Sequence, residues 1–207
     1  SSANSEMPAR SGPTPGARNV QFVDNPAPLF GKVLHQPTTP KTGEPVIITA
    51  EISDRDGIAD VKLEYQVVEP GAYVRLSDAA YGMGWVTLAM RDDGSAGDAK
   101  AGDGIFTAMI DGAQSKHRRL LRYRITASDA GGRSVRVPYA DDPQPNFAYF
   151  VYDGVPAWQG ASRPGTTPVL SFGSDVMTRL PIYHLIASET DVTNSQYVSG
   201  YESQHFW

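Results

Sequence analysis

Val46-Ile47-Ile48-Thr49-Ala50-Glu51-Ile52-Ser53 is the stretch that decides the fold. Val46, Ile48, Ala50 and Ile52 fall on one face; Thr49, Glu51 and Ser53 fall on the other, with Ile47 the exception there. A period of two is what a half-buried strand requires, because successive side chains leave the backbone on opposite sides. Asp54-Arg55-Asp56-Gly57 then supplies a turn, Gly57 being free to take positive φ.

The same alternation recurs downstream. Over 60–68, Val61, Leu63, Tyr65 and Val67 point inward and Lys62, Glu64 and Gln66 outward. Further strands are predicted over 85–90 and over 105–110, where Phe106, Ala108 and Ile110 face in. Over 121–129, Leu121, Tyr123, Ile125 and Ala127 alternate with Arg122, Arg124, Thr126 and Ser128. Ala130-Gly131-Gly132 turns the chain into a strand over 133–138, and 147–152 gives one more. Upstream, short apolar pieces between Pro26, Pro28, Pro37 and Pro40 suit an edge strand, where a missing ladder donor is tolerated. Many short alternating strands separated by turn residues predict an all-β chain, an immunoglobulin-like antiparallel β-sandwich with extended, loop-rich N- and C-terminal flanks.

Composition agrees. Twenty Gly and sixteen Pro among 207 residues are a heavy load for helices, whereas 40% hydrophobic residues suffice for a core. The net charge of −5 argues against a general nucleic-acid binder. No cysteine is present, which excludes disulfides, thiolate zinc sites and a cysteine nucleophile. No apolar run approaches the ~18 residues of a membrane-spanning helix, so no membrane span is expected. The opening Ser1-Ser2-Ala3-Asn4-Ser5 carries no signal pattern, and any export signal is expected upstream of it.

The predicted organisation is a linker and possible edge strand over 1–40, the sandwich over 41–153, a Gly-, Pro-, Ser- and Thr-rich connector over 154–179, and a separate beginning over 180–207. Within the last piece a strand is expected over 180–186, then a helix starting at Ser188, with Asp191 at capping-box spacing. With apolar residues still arriving near Trp207, the expectation is a second domain cut short.

The most distinctive loop is Asp92-Asp93-Gly94-Ser95-Ala96-Gly97-Asp98-Ala99-Lys100-Ala101-Gly102-Asp103-Gly104. Two readings stand side by side. Carboxylates of Asp92, Asp93, Asp98 and Asp103, spaced by glycines, are hard oxygen ligands of the kind calcium takes, although the spacing is not that of an EF-hand. Alternatively, Asp and Gly are simply the preferred turn residues, and the loop is a self-bonded connector. Tyr73, Tyr81 and Trp85 are candidates for a sugar-binding face, or for core and rim packing. Lys116, His117, Arg118, Arg119, Arg122 and Arg124 read as a solvated face, Arg122 and Arg124 meeting Glu64 or Glu51 across a sheet. His35, His117, His184 and His205 lack metal-ligand spacing. There is no Gly-x-Ser-x-Gly elbow, phosphate loop or dinucleotide fingerprint, so no catalytic residue is assigned and no enzyme is expected in this chain.

The sequence 45–54, Val61-Lys62-Leu63-Glu64-Tyr65, Met90-Arg91-Asp92-Asp93-Gly94 and 97–108 resembles an extracellular bacterial module. That module is an immunoglobulin or fibronectin type III-like domain found before CotH-type, spore-coat-kinase-like domains in large secreted multidomain proteins. Leu180-Pro181-Ile182-Tyr183-His184-Leu185-Ile186-Ala187-Ser188, with Asn194-Ser195-Gln196, looks like the opening of such a CotH-like domain. Thr14-Pro15-Gly16-Ala17-Arg18-Asn19 is similar to the close of a lamin-tail-type β-domain. The resemblance covers 45–183 and implies an extracellular or cell-surface setting, neighbouring domains of the same polypeptide as partners, and a surface or polysaccharide ligand. It leads to the expectation of a non-catalytic structural or interaction module presenting a downstream CotH-like domain. The rivals are a fragment of a CotH-type atypical kinase with its catalytic residues after Trp207, and a calcium-dependent adhesion or carbohydrate-binding module.

Overall fold

The computed structural model describes residues 25–163, 165–179 and 181–196. Residues 1–24 of the predicted linker piece, which include the lamin-tail-like stretch, lie outside the described residues, as do Leu180 and His205. Among the described residues ten strands run in chain order: β1 Leu29–Gln36, β2 Val46–Ser53, β3 Ile58–Val68, β4 Val86–Ala89, β5 Ile105–Ile110, β6 Leu120–Asp129, β7 Ser134–Val137, β8 Phe147–Phe150, β9 Trp158–Gly160 and β10 Leu170–Phe172. Two short helices follow, α1 Ser174–Met177 and α2 Glu189–Gln196.

Two antiparallel sheets make the sandwich. One has the order β1-β2-β5; the other has the order β4-β3-β6-β7, with β8 also pairing β6. Since β3 runs the full length of one edge of β6, β7 and β8 share the opposite edge, β8 against 120–123 and β7 against 125–128. This is an immunoglobulin-like arrangement with the fourth strand joined to the second sheet. β2 occupies 46–53, as the alternation predicts, and its inward Val46, Ile48, Ala50 and Ile52 are all buried. They meet Val61, Leu63, Tyr65, Leu121, Tyr123, Ile125 and Ala127 from the other sheet, with Ala108, Ile110, Tyr149 and Val151 closing the core.

Two register shifts tune which side chains reach that core. β1 shifts against β2 between Phe30 and Val33, and β3 shifts against β6 between Ile58 and Asp60. An extra residue at a bulge resets the pleat. Phe30 and Val33, and likewise Ile58 and Val61, therefore all pack on the core despite their odd spacing.

The chain enters and leaves the sandwich at opposite poles. Leu29 pairs Ser53 at one pole, whereas Phe150 pairs Leu120 and Tyr152 N–H donates to Pro40 O (3.0 Å) at the other. At that second pole Gly112 is wedged against the 43–44 backbone: an added Cβ would lie 2.2 Å from the Gly43 carbonyl oxygen and 2.8 Å from its carbon. Backbone cannot swing aside as a side-chain tip can. Gly112→Ala is therefore expected to lower stability by about 1–3 kcal/mol in urea unfolding. Gly82→Ala, which meets nothing within 4 Å, should leave it nearly unchanged.

The C-terminal flank departs from expectation in two places. The predicted connector contains the β9–β10 hairpin and α1. Of the strand expected over 180–186, the described residues 181–186 form no ladder. The helix start is as predicted: Ser188 Oγ accepts from Asp191 N–H at 3.1 Å, and α2 begins at Glu189.

Candidate functional site

The acidic loop is built on a sheet edge. Arg91 and Thr107 exchange backbone hydrogen bonds of 2.9 and 2.8 Å, so residues 92–104 leave beside β5 and return into it. The loop folds over the outer face of the first sheet, where Gly97 (φ 100°) lies so close to Ile47 that an added Cβ would sit 3.2 Å from its Cδ1. The positive φ at this position favours glycine.

Inside the loop the carboxylates organise the backbone. Asp92 Oδ1 accepts from Gly102 and Asp103 N–H (2.6 and 3.2 Å), and its Oδ2 accepts from Gly104 N–H (2.9 Å). Asp98 is buried; its Oδ2 accepts from Gly94 N–H (2.6 Å) and its Oδ1 from Lys100 N–H (3.3 Å). Asp103 Oδ1 accepts from Ile105 N–H (3.0 Å). One carboxylate oxygen from each of Asp92, Asp98 and Asp103 lies within 4.8 Å of the other two. Asp93 does not join them. It turns to the Ser95 N–H and hydroxyl, which, ahead of the nearby Arg91, hold its carboxyl below the usual range.

The aromatic trio sits elsewhere, on the outer face of the second sheet. Residues 69–85 cross this face as a roof, and Gln66 Nε2 reaches up to donate to Met83 O at 2.8 Å. Beneath the roof Arg122 is 4% exposed, which corrects the expectation of a solvated residue. Its guanidinium carbon lies 4.9 Å from the Tyr73 ring centre and 5.5 Å from that of Tyr81, and it donates to Val74 O (2.7 Å) and Gln66 Oε1 (3.3 Å). Arg124 lies 4.1 Å over the Trp85 ring and makes paired 2.9 Å bonds to Glu64, the expected cross-strand partner, whose carboxyl it holds below the usual range. Tyr81 and Trp85 meet edge to face at 5.8 Å, with Trp85 Nε1 donating to Tyr81 O (2.7 Å) and Tyr81 Oη to Asn146 Oδ1 (2.8 Å). The three rings thus lie together, and arginine covers one face of each.

Arg119, also expected on a solvated face, is buried too. It forks onto the Glu69 carboxylate and donates to Gln114 O at 2.9 Å. The described histidines stay apart from one another as ligands. His35 bonds Tyr123 Oη in the core, while His117 stacks on Tyr152 and accepts from Asp153 N–H. His184 packs on Tyr152 at 4.4 Å and on Phe150 at 5.3 Å.

That last contact belongs to a joint between the sandwich and its C-terminal flank. Glu189 N–H donates to Gly71 O (2.9 Å), Ala72 and Ser188 form a β-bridge, and Arg75 clamps Asp191 with bonds of 2.8 and 2.7 Å. The Ser188 hydroxyl, and after it the Arg75 guanidinium, hold the Asp191 carboxyl below its usual range.

No family model matches the chain, and no curated protein matches it.

Sequence reasoning missed Arg75 and Gly71 as joint residues, and Thr107 beneath the acidic loop. For Thr107 a signal existed: counting back from inward Ala108 and Ile110 puts it on the outward face, four residues after Asp103. For Arg75 none did, since its partner lies 116 residues away.

Proposed function

We propose that the chain is a non-catalytic, extracellular structural module that holds the segment following its sandwich in a fixed orientation. The observation that carries this is the joint. A backbone bridge, the Glu189–Gly71 backbone hydrogen bond and the Arg75–Asp191 ion pair fasten residues 188–191 to the β3–β4 loop. An unattached tail has no use for such contacts. The resemblance of 45–108 to modules that precede CotH-type domains supports an exported, multidomain bacterial setting, with neighbouring domains of the same polypeptide as partners. Tyr73, Tyr81 and Trp85 give one ring face each to arginine, which supports packing rather than sugar capture as their work.

The test is limited proteolysis and amide relaxation of the full chain. Arg75→Ala should speed cleavage within 154–187 severalfold and loosen the α2 amides while leaving the urea midpoint of the sandwich essentially unchanged, because exposed ion pairs contribute little to global folding. If the wild-type α2 amides already move like a free tail, the proposal fails. Binding of a nucleotide to the chain, detected by calorimetry, would also overturn it.

Acid should act on the same joint. Asp191 is held below its ordinary value of 3.8, so its contribution is complete above that value and disappears as pH falls through the lowered one. Loosening of α2 is expected at the acidic end alone, read from amide exchange between about pH 5 and pH 2, with no counterpart on the alkaline side.

A further inference from the structure

We propose that the acidic loop is a calcium site in which Asp92, Asp98 and Asp103 supply carboxylates and Thr107 a hydroxyl. The inference does not depend on the function proposed above.

Three carboxylates whose oxygens come within 4.8 Å of one another repel. None of the three has an ion-pair partner among the described residues, although Arg91 and Lys100 are close in sequence. An acidic cluster of this kind also forms wherever carboxylates cap turns, so it does not establish a ligand by itself. The second observation is Thr107. It projects from the outer face of β5 that the loop covers, and it lines with Asp98 and Asp103 a cleft of about 220 Å³. Its side chain is 5% exposed, and its Oγ1 is buried without a hydrogen-bond partner. Buried hydroxyls are normally paired, since leaving one bare forfeits its hydration. A cation against these oxygens would answer both defects together, offsetting the gathered negative charge and giving the hydroxyl oxygen something to coordinate.

The donor set selects the metal. It is oxygen only, with no histidine in the group and no cysteine in the chain, which disfavours zinc and copper. Magnesium demands near-octahedral order and keeps much of its water. A loop with positive φ at Gly94, Gly97, Gly102 and Gly104 follows the irregular path that calcium's larger, adaptable shell accepts. Water and loop carbonyls would complete six to eight ligands, the usual range for the ion.

The experiment is calorimetric titration of the chelator-treated full chain with calcium chloride, paired with thermal melts in calcium and in chelator. One calcium per chain is expected, with a dissociation constant of about 10⁻⁴–10⁻³ M, the weak end of the range for calcium sites, as suits few charged ligands on an irregular loop. Magnesium at equal concentration should bind at least tenfold more weakly. Asp103→Asn, exposed and bonded only to a neighbouring N–H, should weaken calcium binding at least tenfold while leaving the melt in chelator unchanged. Thr107→Val separates a ligand from a merely buried hydroxyl: it should weaken calcium binding severalfold and leave the melt in chelator unchanged or higher. Absence of saturable binding up to 10 mM calcium, or binding that survives both substitutions undiminished, overturns the proposal.

Discussion

Tyr123→Ala is expected to remove about 3–5 kcal/mol of stability, enough to leave a domain of ordinary stability partly unfolded at room temperature. Tyr123 is 2% exposed and stands on β6 beside β8, where the two sheets meet. Its ring lies 5.2 Å from that of Phe147 and 6.4 Å from that of Tyr149, and its hydroxyl lies 3.1 Å from His35 Nδ1 on β1. The neighbours belong to ladders on three sides and cannot collapse into the space, so the loss of transfer free energy is compounded by a cavity. Burial also pushes the Tyr123 phenol well above its ordinary pKa, and it stays protonated throughout the neutral range. Tyr123→Phe keeps the ring and gives up only the His35 bond, at about 0.5–1.5 kcal/mol. Urea unfolding of the two variants should differ by at least about 1.5 kcal/mol; near-equal values would mean that the ring packs less tightly than described.

Arg122→Ala should cost about 2–4 kcal/mol and Arg122→Lys nearly as much. The side chain links the outer face of β6 to the 69–85 roof: its guanidinium lies over the Tyr73 and Tyr81 rings while its nitrogens satisfy Val74 O and Gln66 Oε1. Alanine leaves both oxygens without that donor and both rings without a face to stack on. Lysine restores the charge but has neither the plane nor the fork. Unfolding experiments should place both variants well below wild type, with Trp85 fluorescence reporting a loosened roof. A lysine variant as stable as wild type would show that charge, not geometry, does the work.

The same residue marks where sequence reading stops. In 46–53 and 121–127 the alternation predicts the buried face residue by residue, because hydrophobic burial of one sheet face is written locally. The outer face of β6 is different. Arg122 looks like a solvated residue until a loop beginning far upstream in the chain folds over it, and nothing near residue 122 encodes that cover. The β9–β10 hairpin was hidden for another reason: Trp158-Gln159-Gly160 and Leu170-Ser171-Phe172 are too short to show a period. Over 180–186 the error runs the other way. An apolar run announces a strand, but a strand also needs a free ladder, and described residues 181–186 have none. At the acidic loop the four aspartates were legible, yet which of them converge depends on turns that aim Asp93 away, and on a threonine contributed by the following strand.

The opposite poles at which the chain enters and leaves have a mechanical meaning. Tension applied through flanking polypeptide would pull Leu29 and Phe150 apart along the strand axes, so the β1–β2 and β6–β8 ladders would be loaded in shear, sharing the force across many bonds at once. A sandwich threaded this way behaves as a strut, resisting extension until a whole ladder gives way, where hairpin ends pulled from one side would unzip bond by bond.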